Sequence, residues 1–100
     1  MDALKIVWTE KAENQMEDIV VWYDKKMGRQ TAAKVTRDIL RVVTTLSVSP
    51  RIGILDTSFA RKGYECRSVL FHPKYRILYC FNSKELRIRG FQAMESGQQR

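Results

Sequence analysis

Tyr75-Arg76-Ile77-Leu78-Tyr79 is the stretch that decides the fold, because it sets a guanidinium into a run of strand-forming residues. Aromatic and β-branched side chains alternate there with Arg76 and Leu78, so one face reads as buried and the other as displaying charge. Parity places Tyr75, Ile77, Tyr79 and Phe81 on the first face, toward a core, and Arg76, Leu78 and Cys80 on the second. Around it the sequence reads as three strands over residues 64–71, 75–82 and 85–91, joined by His72-Pro73-Lys74 and Asn82-Ser83-Lys84. Connections that short join antiparallel neighbours. Arg87 and Arg89 in the third strand add two more guanidiniums, chemistry suited to phosphate or carboxylate partners.

The first half of the chain has the helical period. Residues 4–8 read as a short opening strand, and Thr9 then stands at an N-cap with Glu10 and Glu13 in the first turn, where carboxylates favour the helix dipole. Ala12, Met16, Ile19, Val20, Tyr23 and Met27 recur along one face up to Gly28, a helix terminator. A second helix is expected over 30–46, with Ala32, Val35, Thr36, Ile39, Leu40, Val43 and Leu46 as its apolar stripe. The short break at Gly28 implies an antiparallel helical hairpin. Pro50 stops the second helix, and 47–63 reads as an irregular connection. Trp22 falls off the main stripe, either as an anchor for a partner or packed under the 47–63 connection.

The fold class expected is therefore α+β, in the order β-α-α-β-β-β. A helical hairpin packs on one face of a mainly antiparallel four-stranded sheet. One hundred residues make a single domain over 1–100, with a flexible tail over 94–100.

Composition narrows the function classes. No apolar run approaches the roughly 20 residues of a membrane span. Met1-Asp2-Ala3-Leu4-Lys5 lacks the basic and apolar regions of a signal peptide, so a cytoplasmic protein with no membrane partner is expected. One histidine, His72, and no Cys-x-x-Cys spacing leave a zinc site without ligands, and no cofactor is expected. Cys66 and Cys80 do not make a disulfide framework in a reducing compartment. The net charge of +7 is concentrated in residues 51–100, with ten Lys/Arg against four Asp/Glu, whereas residues 1–50 carry eight against seven. That asymmetry points to nucleic acid or an acidic protein partner.

The element order, Arg67 in one strand and Tyr75-Arg76-Ile77-Leu78-Tyr79 in the next resemble the RelE/ParE toxin family. Tyr23-Asp24 closing the first helix, Ala32-Ala33 opening the second and Leu46 four residues before Pro50 add to the likeness. These are toxins of bacterial type II toxin–antitoxin modules, often called plasmid stabilisation proteins. The resemblance implies growth inhibition and a cognate antitoxin with an acidic, partly disordered segment, in a toxin–antitoxin hetero-oligomer. It also implies one of two targets. RelE-like members cut messenger RNA in the ribosome, and ParE-like members poison DNA gyrase without nuclease chemistry.

Carried over by position, Arg76 matches the strand arginine that RelE-like members aim at the scissile phosphate, and Arg67 a basic residue of the preceding strand. The family pattern puts Arg67 on the open face with Arg76, which turns Cys66 to the core and keeps it from bonding to Cys80. The expected arginine after the last strand is absent from Phe91-Gln92-Ala93-Met94-Glu95, and no tyrosine follows Tyr79. Metal-free RNA cleavage needs proton transfers that a permanently protonated guanidinium does not supply. His72, in a turn beside Pro73, reads as a surface residue. The sequence therefore favours a ParE-like gyrase inhibitor. The alternatives are a RelE-like endoribonuclease using Arg67 and Arg76, or a non-toxic module acting with its antitoxin. Residues expected to bind a partner or phosphate are Arg67, Arg76, Arg87, Arg89, Leu78 and Phe71.

Overall fold

Thr9 ties the helical half of the chain to the sheet. In the computed structural model, which describes residues 3–71 and 74–94, its hydroxyl accepts from the Ala12 amide at 3.1 Å and donates to the Ile88 carbonyl at 2.9 Å. The first bond caps helix α1 (Glu10–Met27), which follows strand β1 (Lys5–Trp8). The second joins that cap to the sheet. Thr9→Ala is expected to cost about 1–2 kcal/mol, read as a lower urea midpoint at unchanged m-value.

Gly28, at φ 96°, breaks the chain and lets helix α2 (Arg29–Val48) fold back on α1. A 3-10 turn, Pro50–Ile52, then leads to strand β2 (Ile54–Leu55), followed by β3 (Glu65–Phe71), β4 (Tyr75–Phe81) and β5 (Glu85–Ala93). The sheet has five strands in the order β1-β5-β4-β3-β2, with β1 parallel to β5 and the other neighbours antiparallel. The expected sheet had four. The extra strand lies inside the segment read as an irregular connection, where the turn after Pro50 brings Ile54 opposite Ser68 and Leu55 opposite Arg67. Two residues are too short for alternation to betray a strand.

The helical hairpin covers one face of the sheet. Ala12, Ile19, Tyr23, Val35, Ile39, Val43 and Leu46 meet Phe71, Ile77, Tyr79, Phe81, Leu86, Ile88 and Phe91 in one continuous core. Fully burying side chains of this size stabilises the fold by about 1.5–3 kcal/mol each, against the entropy of ordering the chain. Tyr79 is the polar member. Its hydroxyl donates to the Pro50 carbonyl at 2.6 Å and accepts from the Gly53 amide at 3.0 Å. The aromatic strand residue thereby holds the turn that delivers β2.

A bulge divides β5. Ile88 pairs with Tyr79 and Gly90 with Leu78, so Arg89 is the extra residue. The phase change lets Leu86 and Ile88 on one side of the bulge and Phe91 on the other all face the core. Gln15 of α1 accepts the Phe91 amide at 2.8 Å, satisfying a backbone donor just beyond the irregularity.

The register corrects the expectation for the cysteines. Cys66 lies directly opposite Cys80, with Cα atoms 4.0 Å apart, and the two form a disulfide. Directly opposed residues share a face, so Cys66, Ser68 and Leu70 lie with Cys80, Leu78 and Arg76. Arg67, Val69 and Phe71 therefore lie on the helix-facing side. The family-based placement of Arg67 on the open face does not hold. His72 and the tail beyond Met94 fall outside the described residues.

Candidate functional site

The face of the sheet turned away from the helices displays Arg76 on β4 and Arg87 and Arg89 on β5, with Leu78, Leu70 and Ser68 between them. Alternation and cross-strand pairing place them there: Arg76 opposite Leu70, Leu78 opposite Ser68, Arg87 opposite Cys80. Arg76 Nη1 donates to Ser68 Oγ at 3.3 Å. Arg87 Nε donates to Glu85 Oε2 at 2.6 Å, and the Tyr64 hydroxyl donates to the same oxygen at 2.8 Å. Arg89 Nη1 approaches Cys80 Sγ at 3.4 Å, and its guanidinium lies 5.8 Å from the centroid of the Phe59 ring. The loop between β2 and β3 thus lends an aromatic ring to this face.

Two carboxylates belong to the same surface. Hydrogen bonds from Ser58, side chain first and then amide, hold the Asp56 carboxyl below its ordinary range, with nearby Arg76 adding to the effect. Glu85 is lowered chiefly by its bond from Arg87 and then by Tyr64. A carboxyl whose folded pKa is depressed contributes stability above its unfolded pKa, and loses it as pH falls through the folded value. Glu85→Gln should therefore lower the melting temperature at neutral pH. The gap to wild type should close as acid carries Glu85 from its ordinary range through its lowered pKa.

Of the residues expected to form the site, the structure brings together Arg76, Arg87, Arg89 and Leu78. It does not bring Arg67 or Phe71 to them. Arg67 Nε donates to Glu65 at 2.6 Å and Nη1 to the Gly53 carbonyl at 2.7 Å, on the helix-facing side of β3. Phe71 is buried in the core. Leu70, Asp56, Phe59, Tyr64 and Glu85 belong to the open surface and were not singled out from sequence. Leu70 was within reach, because it shares parity with Cys66 and Ser68. The loop residues Asp56 and Phe59 carried no periodic signal.

A second surface lies on the helices. Trp8, Met16, Val20, Val21, Thr36 and Leu40 line an open apolar depression of about 490 Å³. Val21 and Leu40 are exposed there. Trp22, on α1, is 42% exposed and meets Tyr23 edge-on at 5.0 Å between ring centroids. Among the described residues, no group of three or more His, Cys, Asp or Glu side chains is placed to hold a metal ion. Nor is any described helix long and apolar enough to cross a membrane.

Residues 6–90 match the family model described as the ParE toxin of the type II toxin–antitoxin system parDE. The chain belongs to the ParE toxin family. Solved structures agree with that assignment at the level of fold. A chain of the chromosomal ParDE toxin–antitoxin system from P. aeruginosa superposes with a TM-score of 0.74 at 22% identity, over 93% of this chain and 98% of that one. A chain of the E. coli DinJ-YafQ toxin–antitoxin complex superposes with a TM-score of 0.53 at 14% identity, over 97% of this chain and 99% of that one. A second structure of the DinJ-YafQ complex gives 0.51 at 14% identity, over 95% and 98%. No curated protein sequence matches significantly. The ParE fold accounts for the hairpin-on-sheet architecture, and this chain's own residues decide what its open face can do.

Proposed function

We propose that this ParE-family chain is the toxin of a type II pair, held by a cognate antitoxin in the cytoplasm, and that it inhibits DNA gyrase by binding and not by cutting RNA. The observation that carries this reading is the separation of Arg67 from Arg76. A RelE-like site would need both guanidiniums on one phosphate, yet they project from opposite faces of adjacent strands. Arg67 is moreover engaged by Glu65 and the Gly53 carbonyl.

What remains on the open face favours holding an anion over transforming one. Arg76, Arg87 and Arg89 can stabilise phosphate or carboxylate, but guanidinium does not exchange protons near neutrality. Asp56 and Glu85, both lowered, are weak bases there. Proton transfers of the kind lacking typically contribute about 10²–10⁴-fold each to rate. The same surface, cationic with Leu70 and Leu78 between the charges, suits an acidic and partly apolar antitoxin segment that folds on docking.

Two assays on the purified protein test the target. In one it meets gyrase and relaxed plasmid, in the other translating ribosomes. Loss of supercoiling with intact message is the expected result. Codon-positioned cuts with supercoiling unaffected would establish the RelE-like reading. Silence in both would leave a module that acts with its antitoxin.

A further inference from the structure

We propose that Cys66, Cys80 and Arg89 form a thiol–disulfide exchange site, opened by a low-molecular-weight thiol that attacks Cys66 and expels Cys80. The inference is independent of the toxin's target. It begins from the unlike surroundings of the two bonded sulfurs. Cys80 has no accessible surface, whereas Cys66 keeps 5% of its own and borders an open recess lined by Leu55, Thr57, Ala60 and Tyr64. A reagent arriving from solvent therefore reaches Cys66 first. Asp56, Glu65 and Arg67 also line that recess, and two carboxylates against one guanidinium do not attract an anionic thiolate. Selectivity comes from access and from the leaving group.

Arg89 supplies the leaving-group effect. Its Nη1 lies 3.4 Å from Cys80 Sγ, and the Phe59 ring lies against the same guanidinium. A cation beside a thiol lowers its pKa, and a less basic thiolate leaves faster. In the first step the attacking thiolate forms a bond to Cys66 Sγ, the Cys66–Cys80 bond breaks, and its electron pair leaves on Cys80 beside Arg89. In the second step another thiolate attacks the reagent's sulfur in the mixed disulfide and releases Cys66. Two reagent thiols become one disulfide, and the protein gains two electrons, with one proton taken up by Cys66 and the other released to solvent while Cys80 stays a thiolate. β3 and β4 remain joined by seven cross-strand pairs, so the fold survives the exchange. A Cys80 thiolate places one negative charge against Arg89, within the arginine face.

The test uses the folded, oxidised full-length protein and glutathione near neutral pH, with acid quenching, maleimide alkylation and tryptic mass mapping. Cleavage after Lys62, Arg67, Arg76 and Lys84 separates the two cysteines. The expected intermediate carries glutathione on Cys66 and maleimide on Cys80. Arg89→Gln should slow opening by about tenfold, and Arg89→Lys should recover most of the rate, at matched circular dichroism. Wild-type regioselectivity is read without any substitution, so a variant that fails to fold does not remove the test. Glutathione found equally on both sulfurs or mainly on Cys80 overturns the proposal. So does opening only after unfolding, an Arg89→Gln rate equal to wild type, or a protein that alkylates at both cysteines before any reductant is added.

Discussion

Gly53→Ala is expected to lower stability by about 3 kcal/mol or more, a large share of the total for a domain of this size. The cause is proximity and not backbone conformation, since Gly53 has an ordinary extended φ of −72°. A Cβ at Gly53 would meet the Ser68 carbonyl oxygen at 2.5 Å and the Tyr79 hydroxyl at 2.6 Å. The first is backbone of β3 and has little room to give. The second is the hydroxyl that accepts from the Gly53 amide and donates to the Pro50 carbonyl. Pushing Gly53 outward also strains the 2.7 Å bond from Arg67 to the Gly53 carbonyl. Urea unfolding should show the loss as a lower midpoint. In a double-mutant cycle, Tyr79→Phe should relieve part of the Gly53→Ala penalty, because it removes one of the two clashing atoms and leaves the Ser68 carbonyl in place. Strict additivity would mean that Tyr79 does not hold this turn. Gly63, at φ 85° with open space around it, is the contrasting case. Replacing it by Ala costs about 1–2 kcal/mol of backbone strain and touches no partner.

The same region shows where sequence reading succeeds and where it stops. Strong periodicity made the helical hairpin and β4 legible, and Thr9 and Gly28 marked the helix ends by their own chemistry. The misplacement of Arg67 and that of Cys66 share a cause in β3. Glu65-Cys66-Arg67-Ser68-Val69-Leu70-Phe71 sets charged residues in phase with Val69 and Phe71, and small ones in phase with Leu70. Charge suggests that Arg67 faces outward, while Val69 and Phe71 imply the reverse. The conflict is resolved at long range, by Glu65 and by the Gly53 carbonyl delivered from the turn after Pro50. No local propensity contains that information. The cysteine register was more accessible. Once Phe71 closes against Tyr75, Cys66 and Cys80 each lie five residues from the closing pair and must oppose one another. The β5 bulge left a trace as well, because Leu86 and Ile88 have one parity and Phe91 the other, although all three are buried.

Arg76→Ala should weaken the complex with the cognate antitoxin, and the size of the loss reports how dry the contact is. If an acidic side chain of the antitoxin is desolvated against Arg76, truncation costs about 2–5 kcal/mol, a Kd raised some 30- to 5,000-fold. A contact at a solvated rim costs far less, so the measured value distinguishes the two. Arg76 can meet a partner across Ser68, because its bond to the Ser68 hydroxyl is long at 3.3 Å and it is not held by a close carboxylate bond such as the one Glu85 makes with Arg87. Added salt should weaken the wild-type complex more than the Arg76→Ala complex, since screening acts on the charge pair that the variant lacks. Arg67→Ala supplies the internal contrast, because Arg67 faces the other way and serves the turn at Gly53. It should lower stability while leaving the affinity of folded toxin for antitoxin near wild type. Unchanged calorimetric affinity on Arg76→Ala, together with a large loss on Leu40→Asp, would move the docking surface to the apolar depression between α1 and α2. In that case the arginine face would be free to meet the toxin's target even while the antitoxin is bound, and neutralisation would have to work through something other than covering it.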